Sequence, residues 1–558
     1  MGITPFWRNL LRLLCRKAFY PNPGARWPLN PNRPISAYIS DINSLIRKKQ
    51  LAVSSNGIRL DYGFKTWGDL TSWLGRDYNK LFAEGVTQLY VVFDGKTPEN
   101  KAVEQQDRKQ SWQNGFDRAN ATREESEPEL KPYVWPREDD DKPWFDKSKQ
   151  VFCSFNDIYY GGALSKRKFY EFICHYLLYE MPLPPTCQVI IDCGALHGRG
   201  MLRRPVRARI QHICDPGADR ATIVQSLACA TEAGIENSLK RIVEDVPGEE
   251  PYNTWTEADD RLIYWVYKIT LDAQNPRNVI IGSEDGDAML ALMATFPTRR
   301  VLRPANQPPG RVYLRRTQII GYLVNERGVK NKVDQPEWID TDCIAEYLDD
   351  AFGGLLCADV RNQDDYTSRE RCDPVIFYCM MALMCENDYV EGLKGLTAVN
   401  ILRGMIERPD LARESLFVRR PIRSNGKRPA LDESAQPESC LVNAESARKF
   451  IKFCYSVAHQ NRVSPKLYPV PSDEFLDSVL ARMSWTLDKT VNAGRPGYQL
   501  EHPFLSSPDT MLPVHGYEYR EVRDEETGRV KKRPKFASRV DRRQFYGVAH
   551  KDPVVSSK

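Results

Sequence analysis

The stretch that most constrains this chain is Asn278 to Asp287, Asn-Val-Ile-Ile-Gly-Ser-Glu-Asp-Gly-Asp. An unbroken apolar run, Val279, Ile280 and Ile281, reads as a strand buried on both faces, which is the habit of a parallel sheet covered by helices. The run stops at Gly282 and acids follow at 284, 285 and 287. In open α/β sheets ligands gather outside the carboxyl ends of the strands, so Asp285 and Asp287 stand where a site belongs. Two carboxylates one residue apart suit a hard cation such as Mg²⁺, which takes oxygen ligands. Taken alone, an ordinary acidic turn explains them as well.

The pattern recurs along the chain. Ile35 to Ser40 reads as a strand that ends in Asp41, Leu89 to Phe93 as one that ends in Asp94, and Val189 to Ile191 as one that ends in Asp192. Thr256-Glu-Ala-Asp-Asp260 opens a helix whose apolar positions Ala258, Leu262, Trp265, Val266 and Ile269 follow helical spacing. With a short strand at Ile242-Val243 before it and the 278–282 strand after it, this order predicts a right-handed βαβ crossover between parallel strands. Val375 to Met384 is an apolar helix or strand running into Cys385-Glu-Asn-Asp-Tyr389. Each acid has a dull explanation, such as a helix-dipole cap for Glu257 and Asp259. As a set, Asp41, Asp94, Glu257, Asp259, Asp285, Asp287 and Asp388 would repel one another unless cations neutralise them. A pair of cations about 4 Å apart is what a phosphodiesterase uses to activate water and stabilise the leaving oxygen.

Basic residues accompany the acids. Lys96 follows Asp94 closely, and Lys101 and Arg108 are two helical turns apart, sharing a face that either contacts phosphate or is solvated. The cluster from Arg199 to Arg209 reads equally as a phosphate-facing loop or a solubilising surface. Gly392-Leu-Lys394-Gly395-Leu-Thr397 reads as a turn entering a helix, whose N–H groups suit a phosphate, although helix packing explains the glycines equally well.

Composition limits the partners. With 79 basic and 74 acidic residues the net charge is only +5, so nucleic-acid affinity requires a basic face set against an acidic site. The 14 cysteines include no C-x-x-C pair, which disfavours zinc ribbons and a dense disulfide framework and points to a reducing compartment, nucleus or cytoplasm. No apolar run approaches the roughly 18 residues that span a bilayer, so no membrane partner is expected. The first 40 residues lack acids and carry six basic residues, which reads as a basic helix beside a polyanion rather than as a mitochondrial leader. The expected organisation is a nuclease-like segment 1–117, a charged insertion 118–165, a second segment 166–302, an insertion 303–370, a segment 371–415 with the last acid and a helical turn, a basic linker 416–440, and a C-terminal part 441–558 with a helix and a basic tail.

In order and residue type these motifs resemble the flap endonuclease/XPG family of 5′ nucleases, across roughly residues 1 to 405. The resemblance rests on Met1-Gly2 at the start, Ile-Ser-Asp41-Ile-Asn, Val-Phe-Asp94-Gly-Lys, Glu257-Ala-Asp-Asp, Ser283-Glu-Asp-Gly-Asp287 and Asn387-Asp388-Tyr389. It implies a PIN-like α/β fold, a mostly parallel sheet flanked by helices, with a helix-two-turn-helix region. It further implies two Mg²⁺ or Mn²⁺ held by the seven acids, and Lys101 and Arg108 acting on the scissile phosphate. Gly2, Lys96, Arg47, Gly392, Lys394, Gly395 and Thr397 would contact nucleic acid, with one K⁺ at the helical turn. The sequence departs from the family at Gly395-Leu-Thr397, where a Gly-Ile-Gly turn is expected, and at Arg47, where a base-stacking aromatic is. Gln105-Gln106-x-Arg108 and Val246-Pro-Gly-Glu249 are similar to Xrn-type 5′-to-3′ exoribonucleases, and viral host-shutoff RNases share the superfamily. The expectation is therefore a monomeric 5′ nuclease on flapped or branched DNA, with DNA favoured over RNA as partner and no clear sliding-clamp box. An RNase of the same superfamily and an inactive nucleic-acid-binding scaffold are the alternatives.

Overall fold

The computed structural model describes residues 5–21, 35–50, 66–95, 163–194, 204–212, 239–249, 258–272, 274–302, 308–324, 330–356, 359–360, 368–385, 393, 395–421, 439–460, 470–477, 479–480, 518–523 and 530–535, with scattered positions between 109 and 121. Its centre is a sheet of nine strands: β1 (Phe19–Pro21), β2 (Ile35–Asp41), β3 (Gln88–Val92), β4 (Gln188–Asp192), β5 (Val206–His212), β6 (Leu239–Asp245), β7 (Asn278–Gly282), β8 (Val312–Val324) and β9 (Lys330–Asp340). Across the sheet they lie in the order β1-β9-β8-β7-β2-β3-β4-β5-β6.

The five central strands, β8, β7, β2, β3 and β4, are parallel, and the pairs outside them are antiparallel. The fold is thus α/β, with a parallel centre flanked by helices. Residues 303–370, expected to form an insertion, supply β8 and β9 to this same sheet. β8 pairs with β7 over Val312 to Arg315 and continues to Val324 beside β9. The helix expected to join two parallel strands does so across the width of the sheet. It connects β6 to β7, which run in the same direction but have four strands between them.

Alternate residues explain why both faces are covered. Ala37, Ile39, Val279, Ile281, Val312 and Leu314 enter one core cluster, while Tyr38, Val91, Val189, Ile280 and Tyr313 enter the other. The second face is packed by α2 (Ile42–Gln50), α3 (Trp67–Ala83) and α4 (Ala163–His175). Thr66 starts α3 through a capping box with Asp69, and Leu70, Leu74 and Tyr78 recur at four-residue spacing on its buried side. The first face takes α1 (Pro5–Leu14), α5 (Ala258–Thr270), α6 (Gly286–Leu302) and α7 (Thr341–Leu356). Behind these lie α8 (Pro374–Cys385), α9 (Ala398–Glu407), α10 (Pro409–Ser415) and α11 (Ala444–Gln460), in the same cluster. Arg299 of α6, wholly buried, is ion-paired to Asp342 at the start of α7 and donates to the Gly310 carbonyl at 2.9 Å, joining these helices at the entrance to β8.

A smaller antiparallel sheet, β10 (Asp359–Val360), β11 (Ser368–Arg371), β12 (Leu416–Pro421) and β13 (Ser439–Val442), includes both ends of the expected basic linker. The hairpin of β14 (Glu518–Arg523) and β15 (Val530–Lys535) holds part of the basic tail. No helix among the described residues is long and apolar enough to cross a membrane.

The sheet edge depends on one glycine. A Cβ at Gly282 would overlap the hydroxyl of Tyr38, which is fully buried on the neighbouring strand. We expect Gly282→Ala to lower unfolding stability by about 1–3 kcal/mol, the usual cost of overpacking, and Tyr38→Phe in the same chain to restore part of it. Urea denaturation of the two variants checks this, and an unchanged midpoint for Gly282→Ala would show that the edge tolerates the methyl group.

Candidate metal centre

Parallel strands deliver the acids to one edge. The register pairs Asp41 with Val92 and Val92 with Asp192, so Asp41 and Asp192 lie at the same level, two strands apart. On the other side Ser40 pairs with Gly282, which places Ser283, Glu284 and Asp285 just beyond the end of β7. Asp94 follows β3 by two residues, and Asp259 lies in the first turn of α5, which packs across β2, β7 and β3.

Asp41 is the centre of the group and is buried, 5% exposed. Its Oδ1 accepts the backbone N–H of Ser44 at 3.2 Å, and its Oδ2 accepts the hydroxyl of Ser283 at 3.0 Å. The Ser283 oxygen in turn accepts the N–H of Asp285 at 3.2 Å. One serine therefore ties the strand-end acid of β2 to the acid beyond β7. Burial pushes the Asp41 carboxyl well above the usual carboxylate range, and the negative charges of Asp94, Asp259 and Asp285 push the same way, against the Ser44 hydrogen bond. Three of the other six predicted acids thus act on Asp41 across the edge.

Glu284, inside the acidic run, does something else. Its Oε2 accepts the N–H of Thr317 at 3.0 Å and its Oε1 accepts the Thr317 hydroxyl at 2.6 Å. Its own N–H donates to the Ser44 hydroxyl at 2.7 Å, and its carbonyl accepts Arg316 Nη2 at 3.3 Å. This residue fastens the loop that carries Asp285 to both β8 and the start of α2. Asp192 is likewise used for structure. Its Oδ2 accepts Arg261 Nε at 2.7 Å and Trp265 Nε1 at 2.6 Å, both from α5. That buried pair fixes the helix whose first turn carries Asp259, and the Arg261 guanidinium lies over the Tyr264 ring at 4.1 Å.

Other predicted residues are placed less fully. Glu257, Asp388, Lys96, Lys101, Arg108, Gly2, Gly392 and Lys394 lie outside the described residues. Asp287 falls in the first turn of α6 and Arg47 in α2, but their side chains are likewise outside the description. Gly395 adopts φ +96°, the left-handed region that suits glycine, three residues before α9. Thr397 caps α9, its hydroxyl accepting Asn400 N at 3.4 Å while Asn400 Oδ1 accepts Thr397 N at 3.2 Å. The cap engages N–H groups at the helix start that the sequence left open to a phosphate.

The donor chemistry fits hard divalent cations. A buried carboxylate crowded by other carboxylates is neutralised by an oxygen-seeking ion. Asn43, two residues past Asp41, is also buried with neither side-chain amide atom partnered among the described residues. Among those residues no three His, Cys, Asp or Glu side chains already stand together in ligand geometry. No protein-family model matches the chain, and no curated protein is similar to it.

Asp41 determines a pH dependence. A carboxyl whose folded pKa lies above its unfolded value, about 4, leaves stability intact below that value and removes it as pH rises through the folded one. In chelator, the melting temperature should therefore fall as pH rises from about 4 towards neutrality, and Asp41→Asn should flatten the fall and melt higher at pH 7. Differential scanning calorimetry across that range checks it; an Asp41→Asn protein that melts lower at neutral pH would contradict the assigned repulsion.

Proposed function

We propose that the protein is a divalent-cation-dependent 5′ nuclease that hydrolyses phosphodiester bonds, with flapped or branched DNA as the substrate class its motifs resemble. The observation that carries this reading is the buried Asp41 with Asp94, Asp259 and Asp285 acting on it at the carboxyl edge of a parallel sheet. Asp41, Asp94, Asp259 and Asp285, with Glu257, Asp287 and Asp388 from the sequence pattern, would hold two Mg²⁺ or Mn²⁺. Such ions, when bound, lower the pKa of a water and stabilise the leaving oxygen of an in-line displacement.

The chain's own residues set the geometry. Ser283 and Ser44 hold the Asp41 carboxylate, leaving its remaining lone pairs for a cation. Glu284 holds the Asp285 loop against β8. Asp192, through Arg261 and Trp265, holds the α5 start. Lys101 and Arg108 are the proposed cations for the scissile phosphate.

A ribonuclease of the same superfamily is the second reading, and one contact favours it. The Val246-Pro-Gly-Glu249 turn, with Gly248 at φ +77°, brings Glu249 onto α5, where it accepts the Tyr264 hydroxyl and pairs with Lys268 at 3.6 Å. This is the motif that resembles the exoribonuclease type, set against the helix that carries Asp259.

With Mg²⁺, end-labelled flap DNA and 5′-phosphorylated RNA of the same sequence distinguish the two readings by which substrate is shortened. We expect Asp285→Asn to reduce cleavage by about 10³-fold or more, in the range of losing an electrostatic catalytic group, while nucleic-acid binding and melting temperature stay near wild type. Turnover by this variant at the wild-type rate would remove the assignment. Glu284→Ala should raise the Mg²⁺ concentration needed for half-maximal cleavage by about 10–100-fold, as loss of a supporting partner does, with Glu284→Gln milder; equal Mg²⁺ requirements in all three proteins would exclude the positioning role.

A further inference from the structure

Two arginines of the basic cluster, Arg207 and Arg209, are described residues that the site does not use, and they lie on the α5 side of the sheet. Val206 and Ala208 of β5 enter the opposite core cluster, so Arg207 and Arg209 face the side on which α5 packs. In register, Arg207 pairs with Ile190 and Glu244, and Arg209 with Gln188 and Ile242. Both guanidinium groups reach one carboxylate oxygen, Glu244 Oε1, at 3.4 and 3.2 Å. Arg207 Nη1 also donates to Gln188 Oε1 at 3.5 Å. On the neighbouring strand Gln88 Oε1 accepts Arg277 Nη1 and the Tyr90 hydroxyl. Arg277 and Arg207 both lower the Tyr90 pKa that burial raises, so their charges meet at this ring. Lys240, exposed, pairs with Gln211 on the same face.

Arg207, Arg209, Arg277 and Lys240 thus stand on this face with Glu244 beside the first two and Asp272 acting on the same Tyr90 ring. The Oδ1 of Asp272 already accepts the backbone N–H groups of Gln274 and Asn275, at 2.9 Å each. The Nε of Arg207 is buried and has no hydrogen-bond partner among the described residues, whereas that of Arg209 lies 3.2 Å from Glu244 Oε1. Each guanidinium has five N–H donors, so a shared Glu244 leaves donors unused. Planar forks in a row match successive phosphates.

We infer that this ridge binds the sugar-phosphate backbone of a nucleic-acid strand running away from the candidate metal centre. The inference rests on the nuclease reading and extends it to a second contact surface. β5 starts beside the carboxylate edge, since Val206 pairs with Ile191, and runs away from it. Gln88 lies six residues before Asp94 along β3, about 20 Å at the strand rise. A strand long enough to reach both places touches the ridge, and a very short one does not.

The test is fluorescence anisotropy of labelled single strands of about twenty and about four nucleotides, with full-length protein in chelator at several salt concentrations. Each phosphate contact contributes about 0.9 to the slope of log affinity against log salt for duplex and about 0.7 for single strands. Arg207→Gln with Arg209→Gln should therefore weaken the twenty-mer at least tenfold and reduce its slope by roughly one to two, leaving the four-mer unchanged. Arg209→Gln alone, at the more exposed position, should give part of the effect should the double variant not fold. Arg300→Gln, at an exposed position of α6 and equal in charge change to Arg209→Gln, should do nothing. Wild-type affinity and slope in a folded Arg209→Gln or double variant would overturn the ridge and leave the nuclease reading standing. Absence of binding by the wild-type protein would overturn both.

Discussion

Burying Asp41 at the end of the central strand, with three further carboxylates acting on it, is the constraint on which the rest of the structure depends. A charge in that position is costly unless it is hydrogen-bonded or neutralised. The chain meets the first need with Ser44 and Ser283. The second need is what makes the edge a candidate metal centre rather than a packed surface. Stability would favour apolar residues here; retaining acids is the trade expected of a functional site.

Around that edge the supporting contacts form a coherent set. Glu284 holds the loop beyond β7 to β8 and to Ser44, so the two strands flanking the acids on that side move together. Asp192 does the corresponding work on the other side by holding α5 through Arg261 and Trp265. Two carboxylates thus orient the elements that carry other carboxylates. Sites that depend on placement within fractions of an ångström need such outer contacts.

Much of this edge was legible in the sequence. The runs ending at Asp41, Asp94, Asp192 and Gly282 are strands in the structure, because β-branched and aromatic residues in unbroken runs fit a sheet covered on both faces. The helix at 258–270 was legible from its 3.6-residue spacing. Other features were not. The 303–370 stretch, read as an insertion, supplies two strands and a helix to the same body, because its pairing with β7 is a long-range contact that no local spacing encodes. Glu284 and Asp192 could not be separated from metal-holding acids by residue type, because a carboxylate accepting hydrogen bonds and one holding a cation look alike in a string of letters. The signal for Asp192 was present in retrospect: a strand-ending acid two strands from Asp41 needs a partner, and an arginine lies one helical turn into the next acidic helix.

The sequence by itself determined that several strands would end in acid and that parallel pairing would bring those ends to one edge, because chain direction and helical crossovers leave few other arrangements. Only the tertiary structure decided which acids face each other and which serve as fasteners. That choice depends on register, which places Asp192 level with Asp41 but beneath α5, and on side-chain direction, which turns Glu284 to Thr317 while the backbone N–H of Asp285 binds Ser283. Register and direction arise from long-range packing, and no local spacing encodes them.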